Sequence, residues 1–385
     1  MAQNCSPWID DELAMLRDSA ARFIARELAP HAPDWERAGQ VDATAWRKAA
    51  EVGLLGAGIP EIYGGGGGTR AHEAVIQQEL ARAGLAGSFG ICHGIHSTIV
   101  AHYILSYGVE AQRQRWLPAL VNADLIGAIA MTEPGTGSDL QAVRATAVRE
   151  GDHYRLNGQK TFISNGQTAT LILVLARTGA QAGAGGLSLL AVETQGAEGF
   201  RRGRKLEKLG LHGQDTSELF FDDVMVPAEN LLGGHEGEGF AQLMHQLAWE
   251  RLSIGITAVA NMERAVALTT EYVRERRAFG KALLEFQNTQ FVLADAKTQA
   301  TVGRHFLDAL IVKLLADELD ATTAAMAKLW LTDTAFKVID ACQQLFGGYG
   351  YMAEYPIARL FADSRVSRVY GGANEIMKLI IARSL

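Results

Sequence analysis

Between Asp10 and Ala123 the apolar positions return every three or four residues, as in Leu13, Leu16, Ala20, Phe23 and Ile24, and the same spacing follows Ala43, His72 and Glu110. That is the period of helices that bury one face. Five glycines in a row, Gly64 to Gly68, interrupt it after Pro60-Glu61-Ile62-Tyr63 and predict a turn between helices, because glycine destabilises a helix interior. No strand pattern precedes them, and neither GxGxxG nor GxxxxGK[ST] occurs, so they are not read as a phosphate cradle. From Ile126 to about Gly233 the texture changes to short β-rich runs, such as Thr170 to Leu175 and Leu187 to Val192, separated by glycine and polar clusters. From Glu238 the helical period returns and continues to Leu385, with one strong interruption expected at Gly347-Gly348-Tyr349-Gly350. The expected chain is mostly α with a central β domain: helical over 1–125, β over 126–235, and helical again over 236–385.

Composition narrows the function classes. The 385 residues are 48% hydrophobic and 21% charged, with mean hydropathy +0.03, which is the globular range and enough for two or three domains. A net charge of -7 gives no electrostatic reason to hold a phosphate backbone, so nucleic acid is not an expected partner. Three scattered cysteines, Cys5, Cys92 and Cys342, supply neither a disulfide framework nor a zinc site. His93 and His96 beside Cys92 have no third ligand and no HExxH spacing, so no metal is expected. No basic segment followed by an apolar run opens the chain, and no apolar stretch reaches about 20 residues, so no membrane span and a cytoplasmic home are expected.

One helical segment carries candidate chemistry. At 100° per residue Leu243, Leu247, Glu250 and Ile254 project from nearly one side, which sets a carboxylate on an apolar stripe. Such a carboxylate is either paired with an arginine or is a proton-transferring base whose pKa burial raises.

Four ordered motifs bear on that choice. Met131-Thr132-Glu133-Pro134-Gly135-Thr136-Gly137-Ser138-Asp139 resembles the signature of the acyl-CoA dehydrogenases, flavoproteins that desaturate acyl thioesters. Similar blocks follow at Leu156 to Gly166, at Arg276-Arg277-Ala278-Phe279-Gly280-Lys281 with Gln287, and at Gln344 to Gly350. The resemblance spans essentially the whole chain. It implies N-terminal helices, a middle β-barrel-like domain and a C-terminal four-helix bundle, with FAD between the last two domains. Absence of a Rossmann glycine motif is no obstacle, since arginine and amide donors also hold pyrophosphate.

Residue by residue, the resemblance places Met131, Thr132, Phe162 and Ser164 beside the isoalloxazine ring, and Ser138 among the cofactor- and CoA-contacting residues. Family members usually carry Trp and Thr where Phe162 and Ser164 stand; the aromatic face and the hydroxyl are kept. Arg276, Phe279, Gln287, Gln344 and Gly348 match positions that reach the pyrophosphate and adenine from a neighbouring subunit, which implies a homotetramer built from two dimers. Arg274 and Arg277 also suit a plain helix C-terminus. Gly90, Gly94 and Ile95 match part of an acyl pocket floor.

The informative departure is Tyr370-Gly371-Gly372-Ala373-Asn374-Glu375, where many members have a glutamate base directly after the tyrosine. Glycine cannot take a proton. The long-chain and isovaleryl members place their glutamate on an earlier helix in a Glu-Arg-Leu context, and Trp249-Glu250-Arg251-Leu252 matches it. The resemblance therefore implies Glu250 as base, Arg251 and Gly371 beside the substrate, and Glu375 as the competing candidate, with Glu133 and Glu354 structural. The implied activity is FAD-dependent α,β-dehydrogenation of an acyl-CoA in fatty acid β-oxidation, with electrons passing to an electron-transfer flavoprotein. The rivals are an acyl-CoA oxidase, a desulfinase-like relative that needs no base, and a non-catalytic flavin-binding scaffold.

Overall fold

A computed structural model describes residues 6–179, 181 and 183–385; Cys5 and the start of the chain lie outside the described residues. The N-terminal region holds α1 (Asp11–Phe23), α2 (Ala32–Ala38), α3 (Ala43–Glu51), α4 (Arg70–Arg82), α5 (Ile91–His93), α6 (Ala101–Tyr107) and α7 (Glu110–Val121). Side chains start these helices as expected for polar caps: Asp10 accepts from Leu13 N, and Asp42 accepts from Thr44 N and Ala45 N. Wider π-turns at Ala86–Gly90 and Gly94–Val100 flank α5, and such turns re-aim the side chains of a helical run.

The glycine run is the expected turn, with a further reason for its composition. Gly66, Gly67 and Gly68 donate to the carbonyls of Gly56, Ile59 and Ala57 at 2.8–2.9 Å. A Cβ on Gly65 would strike Ile59 O, so two backbone segments meet where only glycine fits.

The middle region forms one curled sheet of seven strands: β1 (Gly127–Ala130), β2 (Thr146–Glu150), β3 (His153–Ser164), β4 (Leu171–Arg177), β5 (Leu187–Glu193), β6 (Phe200–Lys205) and β7 (Thr216–Pro227). The order is β1-β4-β2-β3-β7-β6, with β5 paired to β4. Strand β4 runs parallel to β1 and antiparallel to β5. Leu171 to Ala176 are all fully buried, which accounts for their unbroken apolar run where alternation would mark a half-exposed strand. Just past β3, buried Asn165 ties helices to sheet, its Nδ2 donating to Cys92 O and to Gly127 O at 3.1 Å.

The C-terminal region is built on α8 (Gly239–Glu275), a helix of 37 residues. A short hairpin, β8 (Arg277–Ala278) and β9 (Lys281–Ala282), leads to α9 (Gln287–Leu315), α10 (Ala321–Gln344), α11 (Pro356–Ser364) and α12 (Asn374–Ala382). The single expected interruption at Gly347 to Gly350 is therefore one of several. The helical period hides the hairpin because its turn is made by only two residues, Phe279 and Gly280, both at positive φ (50° and 81°), the backbone pattern of a tight type I′ turn. Leu252, Ile256 and Val259 of α8 pack with Leu331 and Ile339 of α10 in one buried cluster. The start of α8 lies against β5, where a Cβ on Gly239 would come 2.7 Å from Ser188 Cα.

Candidate active site

Glu250 sits near the middle of the first half of α8, 5% exposed. Tyr103 of α6 donates its hydroxyl to Glu250 Oε1 at 2.8 Å. No lysine or arginine among the described residues forms an ion pair with this carboxylate. Burial raises its pKa to about 7, against the opposing pull of the Tyr103 hydrogen bond and the charges of Arg251 and Arg70. A group poised there can accept and return a proton near neutral pH.

Gly371 lies on the turn before α12 at φ +65°, and a Cβ built on it would collide with Ile254 Cδ1. Ile254 stands one helical turn past Glu250 on the same side of α8, so the turn that departs from the resembled pattern faces the stripe that carries the carboxylate. Backbone strain and Ile254 together leave this position to glycine. The Gly371 N–H donates to no described group. Fully buried Lys328 holds the turn, its Nζ donating to Gly372 O at 2.8 Å and to Asn374 Oδ1 at 2.7 Å. Asn374 Nδ2 in turn donates to Asp333 Oδ1 at 3.0 Å. Arg251 is 5% exposed with its Nε unpartnered. Glu375, by contrast, is exposed in the first turn of α12.

On the sheet, Met131 and Thr132 follow β1 and are crosslinked to β3: Thr161 N donates to Thr132 O at 2.9 Å, and Lys160 Nζ to Met131 O at 3.0 Å. Lys160 also meets Glu133 Oε1 at 2.9 Å, and Glu133 accepts from Arg144 N and Ala145 N. Phe162 occupies a register shift between β3 and β7 at φ +60° and leaves its ring 68% exposed. A bulky residue held in left-handed backbone is strained, and such strain collects at ligand clamps and active sites. Ser138 is exposed and Ser164 partly buried.

Arg276, Phe279, Gln287, Gln344 and Gly348 are all exposed. Arg276 stacks over Tyr349 with 5.4 Å to the ring centroid, which joins the hairpin to the turn after α10. Arg276 stands 26 residues beyond Glu250, about 39 Å along the helix axis. Within one chain, then, this second group does not meet the base. His93 and His96 spend ring nitrogens on Leu54 O, Leu120 O and Gly127 N, and burial lowers both pKa values. Among the described residues no cluster of three or more His, Cys, Asp or Glu could hold a metal. Tyr103, Arg70, Lys160 and Lys328 were not legible as neighbours of this site, since their partners lie far away in the chain; the local signal for Tyr103, Lys160 and Lys328 is a largely apolar helical or strand face, and Arg70 has none.

Comparison with known proteins settles the class. Models of the acyl-CoA dehydrogenase N-terminal, middle and C-terminal domains match residues 10–124, 128–224 and 237–385. The mitochondrial long-chain specific acyl-CoA dehydrogenase of Mus musculus is 44% identical over 373 residues, covering 96% of this chain and 86% of its own. A crystal structure of an acyl-CoA dehydrogenase from Geobacillus kaustophilus superposes with TM-score 0.95 at 47% identity, covering 98% of this chain and 99% of its own. A chain in a structure titled for the electron transferring flavoprotein of Acidaminococcus fermentans gives TM-score 0.93 at 34% identity, with 98% of both chains covered. This chain belongs to the acyl-CoA dehydrogenase family. It is an oxidoreductase acting on acyl-CoA, and its cofactor is FAD. The residues present fit that group: an open aromatic ring at Phe162 beside the hydroxyls of Thr132 and Ser164 suits a flat heteroaromatic with one polar edge.

Proposed function

We propose that the protein removes the α-proton of a medium-to-long or branched acyl-CoA with Glu250 and passes the electrons to an electron-transfer flavoprotein. The observation that carries this reading is Glu250 itself: a buried carboxylate with a hydroxyl partner instead of a counterion, its pKa near 7, opposite the unspent N–H of Gly371. Tyr103 orients the carboxylate, and the low-polarity stripe of α8 keeps the proton affinity high enough to deprotonate a carbon acid. Gly371 N–H donates to the thioester oxygen, where charge accumulates as the proton leaves. Lys328 and Asn374 fix that N–H by holding the turn. FAD, when bound by Met131, Thr132, Phe162 and Ser164, supplies the acceptor for the β-hydride. Ser138 and Arg251 contact the CoA and acyl portions. Arg276, Phe279, Gln287, Gln344 and Gly348 complete the cofactor site of a neighbouring subunit in a tetramer, which fits their exposure and their distance from Glu250.

The test is anaerobic titration of the purified yellow protein with straight and branched acyl-CoAs, following loss of flavin absorbance, then reoxidation by an electron-transfer flavoprotein or by oxygen. Bleaching by medium, long or branched thioesters and reoxidation by the flavoprotein are expected. A higher kcat/KM for butyryl-CoA than for every longer or branched thioester would overturn the substrate assignment, and rapid reoxidation by oxygen alone would overturn the acceptor.

A further inference from the structure

The groups around Glu250 are unequal on its two sides. On one side Ile254 and the Gly371 turn offer an N–H to the thioester oxygen. On the other, one helical turn earlier on α8, lies a polar cluster that the reaction just described does not use. Gln246 is buried and donates its Nε2 to Ser106 Oγ at 2.8 Å. Arg70, the first residue of α4, reaches into this cluster: its Nη2 donates to Gln246 Oε1 at 3.3 Å, and its guanidinium stacks on Trp249 with 4.8 Å to the ring centroid.

The charge on Arg70 is offset only from a distance, by Glu73 and Glu250, with no direct counterion. Its Nη1 is a buried donor without a partner, and Arg70 forms no ion pair with any carboxylate among the described residues. Glu73, three residues on along α4, attracts the guanidinium without bonding it: its Oε1 accepts from Gly58 N at 3.1 Å and faces His102 Nε2 at 3.5 Å, and its Oε2 is itself unpartnered. Glu250 faces Tyr103. Of the remaining neighbours, Gln246, Trp249 and Tyr107 are neutral, and burial together with Arg70 holds the His102 pKa down. Burial lowers the guanidinium pKa to about 10, so it stays charged at neutral pH. A cation held on an aromatic face with a dry, unspent N–H is poised for an oxygen anion, and guanidinium suits a carboxylate best.

Direction decides where that anion would come from. With the thioester oxygen at Gly371 and the α-carbon at Glu250, a substrate laid along α8 continues past Glu250 toward Gln246, about 6 Å further. We propose that Arg70 reads the far end of the acyl chain, and that the preferred substrate is an acyl-CoA bearing a carboxylate there. The inference rests on the reading of Glu250 as base and adds a substrate class to it.

The experiment compares adipyl-, suberyl- and sebacyl-CoA with hexanoyl-, octanoyl- and decanoyl-CoA on the wild-type holoenzyme and on Arg70→Leu, Arg70→Gln and Arg70→Lys. Wild type should favour the carboxylated member of at least one matched pair by about tenfold to a hundredfold in kcat/KM, the size of one charge-assisted hydrogen bond. Compared at a pH where Glu250 is ionised in every protein, Arg70→Leu and Arg70→Gln should erase or reverse that preference by slowing the carboxylated thioesters far more than the plain ones, and Arg70→Lys should keep part of it. Affinities for redox-inert thioether analogues of both classes should follow the same order. A wild type that prefers the plain member of every pair overturns the proposal, whether or not a variant folds. So does a variant that slows both classes alike while shifting the pH profile, because Arg70 would then only tune Glu250. No flavin bleaching by any thioester would instead strike the dehydrogenase reading itself.

Discussion

Two buried carboxylates, Glu250 on α8 and Glu133 after β1, have opposite chemistry although both are under 10% exposed. Glu133 accepts two backbone N–H groups and the ammonium of Lys160, and these hold its pKa below the ordinary value despite burial. Glu250 has one phenolic hydroxyl at contact distance and two arginines further off, and burial wins, lifting its pKa to about 7. The difference shows that burial alone does not make a base. What matters is how much of the desolvation cost the neighbours offset: Glu133 is matched and so becomes a strut between β1 and β3, while Glu250 is left under-matched and able to take a proton.

The sharpest way to break the comparison is Glu250→Gln, which keeps shape but removes proton affinity. Substrate-dependent flavin reduction should fall roughly 100- to 10,000-fold, with circular dichroism and flavin content unchanged. Near-normal turnover would show that the base lies elsewhere. A carboxylate restored from the opposite side by Gly371→Glu needs room, so partial rescue is expected only when Ile254→Ala accompanies it.

Removing the partner instead of the carboxylate tests the other member. Lys160→Met should strand Glu133 without its counterion and cost about 3 to 5 kcal/mol of stability, read as a lower midpoint in urea unfolding. An unchanged midpoint would mean the two backbone donors suffice.

A smaller effect is expected from Tyr103→Phe. Because Glu250 must be ionised to act, kcat/KM should climb with pH and level off above about 7 in the wild type. The tyrosine hydroxyl lowers the carboxyl pKa, so its loss should push that limb to higher pH, with the plateau at high pH largely kept. A limb that moves down, or not at all, would remove Tyr103 from the pairing. The smallest effect belongs to Glu375→Gln: exposed at the start of α12, it should change stability by no more than about 0.5 kcal/mol and leave turnover near wild type.

The asymmetry between these carboxylates was only half visible along the chain. Period alone put Glu250 on an apolar stripe, and the Glu-Arg-Leu context beside Gly371 favoured it over Glu375. Its partner was not visible, since Tyr103 lies 147 positions away and looks like any aromatic on an α6 stripe. Arg70 was hidden for the same reason: as the first residue of a helix after a glycine turn it reads as solvated, and only the packing of α4 on α8 turns it inward. The layered α, β, α order was legible because hydrophobic period is local. The two-residue hairpin at Phe279-Gly280 and the left-handed backbone of Phe162 depend on strand register, which period does not report.

The link between helices and sheet at Asn165 has a consequence for reactivity. Cys92, whose carbonyl that amide grips, is fully buried, and burial raises its thiol pKa well above the ordinary value. Since the thiolate is the nucleophile, maleimides and disulfide reagents should meet an inert group as long as the joint holds. In a Cys5→Ser background, with buried Cys342 reporting the C-terminal bundle, the rate of Cys92 labelling becomes a clock for the parting of the N-terminal helices from the sheet. Asn165→Ala should make that clock run faster while the Cys342 rate holds still.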